Sequence, residues 1–365
     1  MRAAIFRKGN IVVDEVADPK PGHGQILGKT LACGICGTDL HARVHAERLV
    51  RMSDYVKWRK PMDLSRDVVF GHEFCCEILD HGPGCEKRFK PGTRVVSIPR
   101  IVVGGQQQGI GYSNENVGGY AERMLLSEQY LLEVPNGLSS THAALTEPLA
   151  VGVHAVEKAR LQGGEVPLVI GCGPVGLSVI AALARKRRSM KMGPIVAADY
   201  SPKRRELAQR MGADVVVDPA ARSAFATWED HARLSAEEIA KLPPMMNPAG
   251  PLKPAVIFEC VGVPGVIQSI FENAAQEARI VVVGVCMETD RSEPMYAIFK
   301  ELSVQYVLAY TADEFAESLR MLGEGEVDAG ALVTGSVGLE GVSDAFQALA
   351  NPEKHTKIMV EPWRA

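Results

Sequence analysis

No stretch of this 365-residue chain stays apolar for the ~20 residues a membrane-spanning helix needs, so no membrane segment is expected. A surplus of one charge sign is lacking too. Forty Lys and Arg against 44 Asp and Glu leave a net charge of −4, which gives nucleic acid and anionic membrane no electrostatic reason to bind. The opening residues, Met1 to Phe6, turn polar at Arg7-Lys8, too early for the apolar centre of a secretory leader. The cysteines form no disulfide framework either. Cys33, Cys36, Cys75, Cys76, Cys85, Cys172, Cys260 and Cys286 are scattered, which fits a reduced, cytoplasmic protein whose cysteines, Cys36 apart, fill core positions as small hydrophobes. The rest is an ordinary globular composition, 46% hydrophobic and 23% charged. A prior of roughly 150 residues per domain gives about two domains.

Up to about residue 150, short apolar runs alternate with Gly/Pro turns. Ile11–Val13, Gln25–Leu27, Glu77–Leu79 and Arg94–Ile98 read as strands, and Pro91-Gly92 and Pro135-Asn136-Gly137 as turns, of an all-β, barrel-like domain. Near Leu145 the period changes. A helical run through Val151–Ala159 precedes apolar strands at Val166–Ile170, Ile195–Ala198, Val215–Val217, Ala255–Phe258 and Arg279–Val283. Helices Val175–Arg187 and Pro202–Gly212 lie among them, which predicts a parallel sheet covered on both faces. Beyond Ala297, helices at Glu314–Leu322 and Val342–Leu349 and a strand at Lys357–Val360 are expected to return to the first domain. Two segments read as inserted surface decoration. His45–Asp67 is charged and carries Tyr55, Trp58 and Arg59; Ala221–Gly250 is helix-like at Glu229–Lys241 and then Pro-rich.

Gly171-Cys172-Gly173-Pro174-Val175-Gly176 follows one predicted strand directly and opens a predicted helix, the context in which GxGxxG reads as a dinucleotide fingerprint. Gly171 allows the tight turn, Gly173 lets backbone approach a pyrophosphate, and Gly176 lets helix and strand pack closely. Free N–H groups at the helix start favour the anion. Asp199 ends the next strand, about 20 residues on, where an acid binds ribose hydroxyls and repels a 2′-phosphate, favouring NAD over NADP. Arg204 and Arg205 blur that preference, although as early helix residues they read as solvated. Gly171, Gly173, Pro174, Val175, Gly176, Asp199, Arg204, Val261 and Gly284 form the candidate cofactor set.

Cys36 lies in a turn flanked by Gly34 and Gly37, His72 and Glu73 follow Gly71, and Glu147 sits beside Pro148 at the domain transition. Thiolate, imidazole and carboxylate are the ligand types of a catalytic zinc that keeps one position open. A lone His is more often a core residue; its company singles out His72.

Together, Cys36-Gly-Thr-Asp-Leu-His41, Gly71-His72-Glu73, Lys90 to Val95, Gly118-Gly119-Tyr120-Ala121-Glu122, Glu147-Pro148 and Gly171 to Gly176 resemble the zinc-dependent medium-chain dehydrogenases. The nearer likeness is to the sorbitol, butanediol and threonine dehydrogenase branch, and it runs from Met1 to about Pro362. It implies an α/β protein: a GroES-like β-barrel catalytic domain (1–155, completed by 298–365) and a Rossmann doubly wound parallel-sheet domain (156–297). It implies that Cys36 and His72 ligate zinc, and that Glu73 and Glu147 are carboxylates either of which can bind. Thr38 would hydrogen-bond the reacting oxygen and His41 would end a proton relay through the cofactor ribose. Asp39 would orient the turn or a ligand, and His154 would lie near the cofactor cleft or simply pack its helix. Residues 99–118, where many relatives hold a structural zinc with four cysteines, contain none, so one zinc per chain is expected. The implied reaction is NAD-dependent oxidation of a secondary alcohol or polyol by a homodimer or homotetramer. Tyr55, Trp58, Tyr112, Tyr120 and the region of Met287 and Tyr296 are candidates for the substrate pocket. Two rivals are a zinc-independent quinone or enone reductase and a non-catalytic, structural or redox-sensing cofactor-binding protein. The intact ligand and relay residues argue against both.

Overall fold

The computed structural model describes residues 1–56, 60–240 and 252–364, so the expectations for Trp58, Arg59 and residues 241–250 lie outside the described residues. The chain forms two units, Met1–Glu147 with Ala312–Ala365, and Pro148–Thr311. The family resemblance implied divisions at 155/156 and 297/298.

In the first unit, β1 (Arg2–Arg7) and β2 (Asn10–Glu15) form a hairpin. Its turn residues, Lys8 and Gly9, have φ of 50° and 85°, the left-handed pair that tight hairpins need. β3 (Gln25–Gly34) leads through Cys36 into α1 (Gly37–Val44) and α2 (Ala46–Val56). β4 (Glu73–His81), β5 (Arg94–Ser97), the hairpin of β6 (Arg100–Val103) and β7 (Gln106–Gly109), β8 (Arg123–Ser127) and β9 (Leu131–Glu133) follow. The segment read as charged decoration is thus partly a helix with an inner face. Leu49 and Val50 pack on the core while Met52, Tyr55 and Val56 stay exposed. α3 (Ser140–Ala143) and α4 (Thr146–Lys158) carry the chain onward.

The second unit contains β10 (Val166–Ile170), α5 (Pro174–Lys186), β11 (Val196–Ala198), α6 (Pro202–Arg210) and β12 (Val215–Val217). α7 (Ala224–Ala232), α8 (Ala236–Ile239), β13 (Ala255–Glu259), α9 (Val266–Asn273), β14 (Arg279–Val282), α10 (Pro294–Phe299) and β15 (Ser303–Tyr306) complete it. Six strands run parallel in the order β12-β11-β10-β13-β14-β15. The direction of winding reverses at β10, and such a switch point opens a ligand crevice at the carboxyl ends of the strands. α5 buries Leu177, Val179, Ile180 and Leu183, roughly 1.5–3 kcal/mol for each side chain.

The expectation of surface decoration at 221–250 is corrected at α7. Trp228 is 3% exposed in the sheet's core, and its indole N–H donates to the Val166 carbonyl at 2.8 Å. The helix also starts earlier than Glu229 and stops at Ala232, with α8 as a separate turn. A parallel crossover from β12 to β13 needs a covering helix, and α7 is that cover.

The last elements belong to the first unit: α11 (Ala312–Gly323), α12 (Ala329–Leu332), β16 (Val333–Val337), α13 (Val342–Ala348) and β17 (Lys357–Val360). β17 pairs antiparallel with the end of β3, Met359 opposite Gly34 and Val360 opposite Cys33. The sheet therefore runs β16-β17-β3-β4-β5-β9, with β8 also on β3. Among the described residues no helix is long and apolar enough to cross a membrane.

Candidate metal and cofactor sites

β3 ends at Gly34 and α1 begins at Gly37, so Cys36 caps the helix. Its Sγ accepts the Thr38 amide at 3.4 Å, while Asp39 Oδ2 accepts the Cys36 amide at 3.0 Å. This reciprocal cap fixes the sulfur's position. Across the sheet, Gly71 turns the chain into β4 at φ 103°. A Cβ there would lie 2.8 Å from the Tyr120 ring and 2.9 Å from the Gly119 nitrogen, so only glycine brings His72 and Glu73 this close. As a result a sulfur of Cys36, a ring nitrogen of His72 and a carboxylate oxygen of Glu73 lie within 4.8 Å of one another. A soft thiolate, an imidazole and a carboxylate so grouped fit zinc.

Beneath this group Asp39 is wholly buried and accepts Tyr112 Oη at 2.5 Å and Tyr120 Oη at 2.6 Å. His72 Nδ1 faces Asp39 Oδ1 at 3.5 Å, which leaves Nε2 as the nitrogen offered to a metal. Burial pushes the Asp39 carboxyl up, but the His72 charge and the His72, Tyr112 and Tyr120 hydrogen bonds outweigh it and hold it below the usual carboxylate range. Burial pushes His72 down, and Asp39 and Cys36 more than reverse that, leaving it well above its usual value without a metal. Tyr112 and Tyr120, expected at the substrate pocket, both donate to Asp39. Phe6 stacks on Phe70 with centroids 5.0 Å apart, and Phe70 and His72 meet the Tyr112 ring at tilted angles, 5.3 and 5.4 Å away. Tyr296 packs on the parallel-sheet core. Tyr55 is 85% exposed.

The residue that sequence reasoning missed is Lys357. Its Nζ donates to both Glu73 oxygens at 2.7 Å and to the Ile35 carbonyl at 3.0 Å, and both side chains are nearly inaccessible. Burial lowers the Lys357 value, but Glu73, Cys36 and Glu147 raise it beyond its usual one. The signal was present in the sequence as a Lys opening an otherwise apolar strand. Glu147 lies outside the group of three but near enough to act on Lys357. Thr38 Oγ1 is 3.5 Å from Cys36 Sγ, and His41 is one turn along the same face of α1. Of the other cysteines, Cys33, Cys75 and Cys76 are buried thiols, Cys75 pushed up to about 12 by burial; Cys85, Cys260 and Cys286 are only partly buried.

The fingerprint joins β10 to α5. Gly171 has φ 91°, and a Cβ on Gly176 would sit 1.9 Å from the Gly171 carbonyl oxygen, so turn and helix touch backbone to backbone. Gly173 is the N-cap of α5, followed by Pro174 and Val175, and a Cβ there would meet only Arg204 atoms at 4.0 Å. A helix start of this kind leaves its first amides free for an anion. Asp199 Oδ2 accepts the Cys172 amide and Oδ1 the Ser201 amide, both at 2.8 Å. The reading of Arg204 and Arg205 as solvated is corrected. Their side chains are only 25% and 18% exposed. Arg205 donates to the Asp199 and Tyr200 carbonyls, and Arg204 reaches to 3.9 Å from Asp199 with its Nε buried and unpartnered. Val261 and Gly284 follow β13 and β14 at the same edge of the sheet.

Residues 22–136 match the family described as Alcohol dehydrogenase GroES-like domain, and residues 174–324 the one described as Zinc-binding dehydrogenase. The chain is 30% identical over 375 residues to (R,R)-butanediol dehydrogenase of Bacillus subtilis (strain 168), covering 99% of this chain and 100% of that one. It is 27% identical to Sorbitol dehydrogenase of the same organism, over 100% and 98% of the two chains. The crystal structure of 2R,3R-butanediol dehydrogenase from Bacillus subtilis matches with a TM-score of 0.75 and 28% identity over 99% of each chain.

Proposed function

Because the chain belongs to the zinc-dependent medium-chain dehydrogenase family, we propose that it oxidises a secondary alcohol or polyol with NAD. The observation that carries this is the gathering of Cys36, His72 and Glu73 donor atoms within 4.8 Å. One zinc would be held by Cys36 and His72, with Glu73 or Glu147 as the carboxylate ligand. When bound, zinc supplies a Lewis acid for the alcohol oxygen, and the nicotinamide supplies the hydride acceptor.

The chain's own residues do the rest. Asp39, held by two tyrosines, keeps His72 turned so that Nε2 stays an electron-pair donor. Thr38 Oγ1, beside Cys36, would hydrogen-bond the alcohol oxygen and His41 would release the proton to water, the two forming the ends of a relay that the cofactor ribose would bridge. Gly171, Gly173, Pro174, Val175 and Gly176 cradle the pyrophosphate, Asp199 the ribose hydroxyls, and Arg204, Val261 and Gly284 complete the contacts. Asp199 disfavours the 2′-phosphate of NADP. The protein acts in the cytoplasm as a homodimer or homotetramer.

The test is an NADH-forming screen of zinc-loaded protein against diols, sugar alcohols, hydroxy amino acids and aromatic alcohols. Turnover of a secondary diol or polyol is expected, with about one zinc per chain by metal analysis. Cys36→Ser should lose both with the fold retained. Undiminished turnover in Cys36→Ser overturns the assignment.

A further inference from the structure

Glu259 ends β13 with 2% of its surface exposed, and no step above uses it. Its partners are backbone amides. Oε1 accepts Val261 at 2.7 Å and Gly262 at 2.8 Å, and the Gly284 amide, bonded to the Glu259 carbonyl at 2.9 Å, also faces the carboxylate. Val261 and Gly262 belong to the turn after β13, Gly284 to the turn after β14. These two turns touch backbone to backbone. A Cβ on Gly284 would lie 2.4 Å from the Gly262 nitrogen and 2.7 Å from Glu259 Oε2, and one on Gly262 would lie 2.7 Å from the Val285 nitrogen. The first turn in turn abuts the fingerprint, since a Cβ on Gly171 would lie 2.7 Å from Val261 Cγ2. One buried carboxylate thus underlies three turns at the carboxyl edge of the sheet, where this fold takes its ligands.

We propose that Glu259 is a positioning residue for the nicotinamide cofactor, its carboxylate holding the 260–262 and 284–285 turns at the spacing the cofactor needs. The proposal rests on the NAD reading above. Burial pushes the Glu259 carboxyl above its usual value, the three amides offset this only in part, and the charge of Asp290 adds to the rise. Desolvation, with the Glu259 charge adding to it, pushes the thiol of the partly buried Cys260 beside it well above its usual value. The ionised carboxylate is an acceptor for every amide around it, whereas the protonated group turns a donor toward donors. The hold is therefore complete above the raised value and is lost as the pH falls through it.

The experiment measures NADH dissociation constants by fluorescence across pH for the zinc-loaded full chain and for Glu259→Gln. At neutral pH the variant should bind about tenfold more weakly. The gap should close as the pH falls, and the KM for NAD should rise more than the KM for the alcohol. Equal affinities at all pH, or a gap that stays constant into acid, overturn the proposal and leave Glu259 a structural residue. Should the variant not fold, amide-exchange protection at Val261, Gly262 and Gly284 in the unmodified protein decides. It should fall with pH and be restored by NADH, and protection unchanged by either overturns the proposal. An unmodified protein that binds no nicotinamide at any pH refutes the NAD reading itself.

Discussion

Replacing Lys357 by Met removes the cation from an ion pair whose side chains are 2% and 1% exposed. Met keeps most of the length and volume of the lysine stem, so the loss is chiefly electrostatic. Glu73 is left buried, and its two 2.7 Å hydrogen bonds go unmade. Breaking a buried pair from one side costs about 3–5 kcal/mol. For a unit of roughly 200 residues, each kcal/mol moves the midpoint by about 2–4 °C, so the transition of the first unit should fall by about 6–20 °C. Adding Glu73→Gln to the variant removes the stranded charge and should recover most of the loss. Zinc offers Glu73 another cation, so zinc should raise the midpoint of Lys357→Met more than that of the parent. Lys357 is held charged above its usual value, so the pair's contribution is complete at neutral pH and is lost only as the pH rises through that raised value. The two proteins should converge in strong alkali. Calorimetry on chelator-treated and zinc-loaded samples reads all of this. A metal-free Lys357→Met protein that melts with the parent would refute the reasoning.

Asp199→Ala should weaken NAD binding and raise the NADP/NAD ratio of kcat/KM, because Arg204, 3.9 Å away, loses the acid beside it; an unchanged ratio counts against this role. Gly176→Ala places a methyl 1.9 Å from the Gly171 carbonyl and should abolish NADH binding, and parental affinity would show that the turn can shift. Glu165 is 1% exposed, and although burial pushes its carboxyl up, the Gln162 and Gly163 amides and Arg279 hold it below the usual range. Its contribution is present above the unfolded carboxyl value and is lost as the pH falls through the depressed one. Glu165→Gln should therefore be about 2 kcal/mol less stable at neutral pH, with the difference vanishing in acid on denaturant titration.

What was legible in the sequence was local. The Gly171–Gly176 turn is a contiguous strand–turn–helix in which Gly171 is required by its positive φ and Gly176 by its approach to the Gly171 carbonyl. Cys36 was legible as a candidate, but its capping of α1 was not, because Gly37-Thr38-Asp39 reads as turn chemistry until Asp39 closes the reciprocal bond. Lys357 stood out as a Lys opening an apolar strand, but its partner was illegible because only the pairing of β17 with β3 sets it beside Glu73, 284 positions away. The tyrosines under Asp39 were hidden for the same reason: hydroxyls 73 and 81 positions away meet one carboxylate. α7 was misread because Glu229, Asp230 and His231 suggest a solvated helix, whereas Ala224, Phe225, Trp228 and Ala232 turn to the core.

The tie between Glu73 and Lys357 has a consequence for biosynthesis. β3 and β4 leave the ribosome long before β17, so for most of translation the nascent sheet has an acidic residue at its centre with no counter-charge. The metal-binding half of the protein is therefore completed from its far end. A chain halted between Glu147 and Lys357 would hold every proposed zinc ligand and still lack the residue that lets one of them be buried. Ribosome-stalled fragments ending before and after β17 should differ sharply in protease resistance around Glu73, and zinc given during synthesis should narrow that difference.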